Sequence, residues 1–398
     1  MNAHPLPHPL PHPADAPRRV LPVLVLAQLL GTSPWFAVNA VMPDLQRAFG
    51  WDAAAVGTLT AALQGGFIVG TLLFALLAVA DRWPARRVFG LCALAAALCT
   101  LAAMASAAHF QALLAWRALT GFFLAGIYPV GMKLASMWFP RGLGAALGWL
   151  VGALVLGSAS PHALRALGAD WAWQSVFLAV AGAAVLAGGL VQALVPEPAH
   201  LGAPGLRLSA LSSLWRESRV RASVLGYCGH MWELYTVWVL MPLLLATRLA
   251  DATAVSWWAF VALGAGAAGC VLGGIVARRQ GSARVALAQL AVSGLCCLAA
   301  PLMLVAPLPL FLAWLVLWGV TVAGDSPQFS ALTAANAPRE AVGSVLTLTN
   351  SLGFAISVVS IEFFVRQAQS VALGSLLPWL ALGPLLGCWA LRPLLGRR

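Results

Sequence analysis

Charge is what this chain has least of. Only 9% of its 398 residues are Asp, Glu, Lys or Arg, and 61% are hydrophobic. A soluble domain carries about 25% charged residues. The deficit excludes an ordinary water-facing surface and makes the chain an integral membrane protein. Acids are scarcer still, 12 against 23 basic residues, for a net charge of +11. In a soluble protein that balance would suggest nucleic acid. Here the basic residues sit in short loops between apolar runs, so the charge reads as orientation in the bilayer, and no nucleic-acid partner is expected. No Gly-x-x-x-x-Gly-Lys-Ser/Thr loop occurs, and no loop could hold an ATPase domain. The seven cysteines, Cys92, Cys99, Cys228, Cys270, Cys296, Cys297 and Cys388, form no Cys-x-x-Cys pair. All lie in apolar segments, where cysteine acts as a small hydrophobe; neither a zinc site nor a disulfide framework is indicated. There is no nucleophile–base pair and no metal-spaced His/Glu set, so no enzyme, cofactor or metal is expected. The first residues, a His-Pro-Leu-Pro tract with His4, His8 and His12, are too polar and Pro-rich for a signal peptide and read as an extended tail.

What is there is a series of long apolar runs. A helix needs about 20 mostly apolar residues to cross the hydrocarbon core. Twelve segments qualify: 20–42, 54–80, 88–108, 112–133, 143–167, 172–194, 224–246, 254–277, 285–305, 308–332, 341–365 and 372–391. With the amino terminus inside, eighteen basic residues fall on the cytoplasmic face and only four, Arg47, Arg165, Arg248 and Arg366, on the other. The positive-inside rule then places both termini in the cytoplasm, in the cell (inner) membrane. The predicted organisation is a disordered tail at 1–19, a six-helix bundle at 20–195, a cytoplasmic linker at 196–223, a second six-helix bundle at 224–391 and a basic tail at 392–398. Within the linker, 214–221 reads either as an amphipathic helix on the leaflet or as a plain basic connector.

The halves repeat. At a shift of 198 residues Ala115-Trp116 meets Ala313-Trp314, Gly121, Gly126 and Pro129 meet Gly319, Gly324 and Pro327, Pro140-Arg141 meets Pro338-Arg339, and Arg86 meets Arg284. Trp, Pro and Arg coincide by chance less readily than Gly and Ala. Two parallel six-helix repeats about an axis along the membrane normal are a transporter architecture, with the solute site between them near midplane.

Four local features resemble the major facilitator superfamily. Asp81-Arg-Trp-Pro-Ala-Arg-Arg87, between the second and third spans, is similar to its loop motif Gly-x-x-x-Asp-Arg-x-Gly-Arg-Arg, although Leu77 and Pro84 or Ala85 stand where glycines are usual. Gly274-Ile-Val-Ala-Arg-Arg-Gln-Gly281 resembles the second-half copy without its acid. Arg117-x-x-x-Gly121 resembles the embedded Arg-x-x-x-Gly motif, and Gly148-x-x-x-Gly152 with Gly157 and Pro161 resembles the antiporter glycine motif loosely. The resemblance covers nearly the whole chain and leaves the subfamily open. It implies an all-α fold of 12 transmembrane helices in two pseudo-symmetric six-helix bundles, and a central cavity lined by spans 1, 4, 7 and 10. It also implies gating or conformational roles for Asp81, Arg82, Arg86 and Arg87.

Three formal charges fall on those cavity spans: Arg117 on the fourth, Glu233 on the seventh, beside His230, and Asp325 on the tenth. An ionisable group at that depth costs about 3 kcal/mol on insertion scales, so each is a functional candidate. The planar fork of Arg117 suits a substrate anion, or equally a structural tie to an acid or to broken-helix carbonyls. Glu233, held from water, is the first candidate for proton coupling, with a static hydrogen-bonded acid as the alternative. His230, a turn earlier, is a relay or a helix contact. Asp325 precedes Ser326-Pro327, where proline frees backbone carbonyls; it is a candidate for substrate, proton or gate, with Pro327 as the conformational element. Trp35, Asn39, Tyr235 and Asn350 are candidate lining residues. The shift of 198 residues places Trp35 on Glu233, so these two are expected to face each other.

These residues predict a proton-coupled secondary active transporter moving a small anionic or zwitterionic metabolite by alternating access, in the lipid bilayer and as a monomer. The alternatives are proton-driven multidrug efflux, favoured by the apolar spans, and copper transport, suggested by Cys228, His230, Met231 and Met241.

Overall fold

The computed structural model describes residues 17–139, 143–197, 216–338 and 341–396. The histidine tract, most of the linker, and Pro140, Arg141, Arg207, Arg339, Arg397 and Arg398 lie outside the described residues. The described chain is helical, with no strand. We number the long helices α1 (Val20–Ala40), α2 (Ala55–Leu76), α3 (Ala85–Ala105), α4 (Phe110–Trp138), α5 (Leu143–Leu167) and α6 (Gln174–Leu194) in the first half. The second half holds α7 (Ser218–Ala246), α8 (Ala252–Gln280), α9 (Ser282–Met303), α10 (Leu308–Asn336), α11 (Val342–Gln367) and α12 (Leu373–Ala390). Lipid offers no partner for a backbone N–H or C=O, so each crossing must satisfy its own, which helices do.

Eleven of these helices are both long and apolar enough to cross a membrane. The twelfth, α7, has the length, 29 residues, but is diluted by His230, Glu233 and their neighbours. It also begins earlier than its apolar run. Residues 218–221, read from sequence as linker and as part of a candidate leaflet helix, are the first turn of α7. Helical hydrogen bonding does not stop where hydrophobicity does, and Arg219 is anchored to Asn336 Oδ1 at 2.8 Å.

Four of the described helices are broken where the chain demands it, α12 by a 3-10 turn at Leu377–Ala381 around Pro378 and the other three nearer the centre. In α1 a 3-10 turn, Ser33–Phe36, forms around Pro34. Pro34 has no N–H for the carbonyl of Leu30, and the Ser33 hydroxyl donates to that carbonyl instead at 2.7 Å. α4 breaks between Leu124 and Tyr128, ahead of Pro129, and α10 breaks at Asp325, ahead of Pro327. These two breaks are related by the 198-residue repeat. So is their packing. A Cβ at Gly121 would strike the carbonyl of Leu63 on α2, and one at Gly319 would strike the carbonyl of Ala262 on α8. The glycine of Arg117-x-x-x-Gly121 is thus a close-approach residue with a copy in the second half.

The halves meet along two seams, α5 against α8 and α2 against α11. Gly148 and Gly152 face the carbonyls of Cys270 and Ala267, so the glycine-rich stretch of α5 builds the first seam. In the second, Ser357 donates to Gln64 Oε1 at 2.7 Å and Phe67 lies 4.6 Å from Phe354 between ring centres.

Candidate substrate site and the buried charges around it

Between the seams, where the breaks of α4 and α10 face α7, lies a small cavity of about 20 Å³, room for about one water molecule. Five aromatic residues line it: Tyr128, Tyr227, Tyr235, Trp238 and Phe354. The chain has only three tyrosines, and all three are here. Val151, Leu154 and Val155 of α5, Met231 and Leu234 of α7, and Ala323 and Ser326 of α10 complete the wall. On α7 the lining residues 227, 231, 234, 235 and 238 recur at helical spacing and form one face.

Aromatic packing from the first half closes this site on one side. Trp35 stacks on Tyr235 with 6.0 Å between centres and 5° between planes, and Phe36 lies 5.4 Å from Trp238. Trp35 and Phe36 belong to the 3-10 turn of α1. Arg117 holds that turn: its Nη1 donates to the carbonyl of Pro34 at 2.9 Å and its Nη2 to that of Trp35 at 2.5 Å. Among the described residues no carboxylate pairs with Arg117, which is buried and does not line the cavity. Of the two sequence readings of this residue, the geometry is that of the tie to broken-helix carbonyls.

The two acids sit behind the lining. Asp325, at the α10 break, has Oδ1 2.8 Å from His230 Nδ1, and both side chains are at most 1% exposed. Asp325 adjoins Ser326 in the wall, and Tyr227 packs beside His230 at 5.7 Å. Glu233 points the other way, into the second half. Its Oε1 accepts from Ser293 Oγ at 2.5 Å, Trp318 Nε1 at 2.6 Å and Cys297 Sγ at 3.1 Å; its Oε2 has no hydrogen-bond partner among the described residues. His230 and Glu233, a turn apart, therefore serve different partners.

The expected facing of Trp35 and Glu233 does not occur. Trp35 meets Tyr235, because two further residues along a helix turn the side chain by about 200°, and because α1 is broken where α7 is continuous. Of the other candidates, only Tyr235 lines the cavity. Asn39 donates to Thr60 Oγ1 at 2.9 Å, binding α1 to α2, and Asn350 is half-buried on α11, outside the lining. Cys228, His230 and Met231 diverge: Met231 lines the cavity, His230 faces Asp325, and Cys228 packs near Val224 and Val345. At the end of the bundle bearing α1's first residue, Asp81 pairs with Lys133, whose Nζ also donates to the carbonyl of Ala80 at 2.5 Å. Arg86 lies 3.4 Å from Glu197, Arg82 and Arg87 are exposed, and Pro327 is buried in the first turn after the α10 break. Sequence reasoning missed Tyr227, Ser293, Cys297 and Trp318. The spacing of Tyr227 and Tyr235, two turns apart through Met231, was a usable signal; the partners of Glu233 lie on other helices and left none.

Among curated proteins none matches this chain. Two transporters are among the solved structures that share its fold. The human organic anion transporter MFSD10 (TETRAN) aligns with a TM-score of 0.70 at 17% identity, over 94% of this chain and 99% of its own. The nucleoside transporter NupG (D323A mutant) aligns with a TM-score of 0.72 at 12% identity, over 95% and 100%. At those identities the likeness is one of fold. The sequence itself matches the Major Facilitator Superfamily over residues 24–361. A two-half bundle with broken helices around a central cavity, and a family match across most of its length, place this chain in the Major Facilitator Superfamily.

Proposed function

We propose that this transporter-family protein is a secondary active transporter that carries a small organic solute by alternating access and couples it to protons through Asp325, His230 and Glu233. One observation carries the reading: the buried Asp325–His230 contact sits at the α10 break, one residue from the cavity wall at Ser326. A proton taken up by the pair would alter the attraction between α7 and α10 at the point where α10 can bend. Solute and proton would thus act on the same joint, which is what coupling requires. The small cavity between the two halves supports alternating access, with the helix breaks supplying compliance. Both termini are proposed to be cytoplasmic, in the cell membrane, and the chain to work as a monomer.

The two similar structures are of an organic anion transporter and a nucleoside transporter. For this chain, an anion is disfavoured by the engagement of Arg117 with the α1 carbonyls. The aromatic, apolar wall favours one competing reading, export of lipophilic compounds. The test uses proteoliposomes with an imposed proton gradient and an internal pH dye, offered solutes that raise the melting temperature of the purified protein. Concentrative uptake should collapse with a protonophore, and Asp325→Asn should retain solute exchange while losing accumulation. Accumulation indifferent to the protonophore would remove proton coupling.

A further inference from the structure

The wall of the central cavity has a chemistry more specific than "small organic solute". No Asp, Glu, Lys, Arg or His lines it. Its side-chain polar groups are the hydroxyls of Tyr128, Tyr227, Tyr235 and Ser326 and the indole N–H of Trp238. The Trp238 nitrogen is buried and unpartnered among the described residues. The three tyrosines are each at most 8% exposed, and no hydrogen bond engages their hydroxyls among the described residues. The remaining wall is aliphatic or aromatic.

We propose that this site binds an uncharged, planar aromatic solute that carries hydrogen-bonding groups, held by the three tyrosine hydroxyls and Trp238 Nε1; the inference rests on the transport reading above and names its substrate class. Three arguments converge. An ion entering this wall would lose its hydration with no counter-charge in return. The nearest charged groups stand behind the wall, Asp325 beside His230 and Arg117 on the α1 carbonyls. An aliphatic solute would leave the phenols and the indole N–H unpaired in a dry site, whereas a ring with donors and acceptors stacks on the aromatics and meets those groups at its edge. The placement of all three tyrosines of the chain on one cavity, from α4 and α7, sets hydroxyls from both halves around one solute. The cavity as it stands has room for about one water molecule, so the ring enters when the two halves part, with donors from both halves around it.

The experiment uses matched trios of neutral, anionic and cationic ring compounds on the full-length protein in detergent: benzamide, benzoate and benzylammonium, and indole-3-acetamide, indole-3-acetate and tryptamine. Binding is read by thermal shift and by tryptophan fluorescence, to which Trp238 contributes. A neutral member of at least one trio should bind at least tenfold tighter than both charged analogues. Tyr227→Phe and Tyr235→Phe, which keep the ring and lose only the hydroxyl, should each weaken that binding about 3- to 10-fold, the range of one neutral hydrogen bond. Val359→Leu, at an exposed position of α11 away from the wall, serves as the folded comparison. No binding by either neutral compound, equal binding of a charged analogue, or Phe variants that bind as well as the native protein would overturn the proposal. A neutral ring that binds but is not moved in proteoliposomes defeats the transport reading and leaves the site assignment standing. Concentrative uptake of a charged solute does the reverse.

Discussion

The fork of Arg117 allows a sharp test, because its two roles predict opposite behaviour of the empty protein. If the guanidinium exists to hold the Ser33–Phe36 turn, then Arg117→Lys keeps the buried charge and loses the fork. An ammonium on a flexible stem reaches one of the two carbonyls, at Pro34 or Trp35, and not both at 2.9 and 2.5 Å. One charge-assisted hydrogen bond disappears with no relief of desolvation, so stability should fall by about 1.5–3 kcal/mol. Arg117→Met loses both bonds but also removes a buried, unpaired cation, so its loss should fall short of twice the lysine value. The carbonyl of Pro34 softens both figures, since it also accepts the N–H of Ala37. The assay is equilibrium unfolding of purified protein in mixed micelles, titrated with denaturing detergent and followed by tryptophan fluorescence, where Trp35 on the turn is itself a reporter. Because the turn carries Trp35 and Phe36 against Tyr235 and Trp238, the lysine protein should also bind solute less tightly. An Arg117→Lys protein as stable as the native one, yet blind to an anionic solute that the native protein binds, would refute this reasoning and return Arg117 to the role of an anion contact.

Two further expectations concern the fold and the second acid. Gly121→Val and Gly319→Val should each prevent the close approach of α4 to α2 and of α10 to α8, with loss of folded protein on size-exclusion chromatography, while Gly182→Val, where an added Cβ meets nothing within 4 Å, should not; equal yields from all three would sink the close-approach argument. Glu233→Gln retains a carbonyl oxygen for Ser293, Trp318 and Cys297 and should melt near the native temperature, whereas Glu233→Ala strands the first two donors and should lose about 2–4 kcal/mol; a glutamine protein that also keeps full gradient-driven accumulation would confine Glu233 to a structural role.

The sequence by itself determined that this chain crosses the membrane repeatedly, in two related halves. Those properties are local or periodic. Hydrophobicity summed along the chain measures membrane solubility, and the coincidence of Gly121, Gly126 and Pro129 with Gly319, Gly324 and Pro327 needs no coordinates. It also showed which ionisable residues lie at depth, because a charge in an apolar run is visible without knowing what it touches. What it left open was direction. Arg117, Glu233 and Asp325 fall on three of the four spans expected to line a cavity and could all have pointed into it; in the folded chain they point to the α1 turn, to α9 and α10, and to His230. A turn of one residue moves a helical side chain by about 100°, and a single broken helix shifts every register after it. Partners on other helices, such as Ser293 and Trp318, obey no spacing rule at all. Only tertiary packing, by turning one face of α7 toward the centre and the other toward α9 and α10, decided that the cavity would be walled by tyrosines and that the charges would stand behind it.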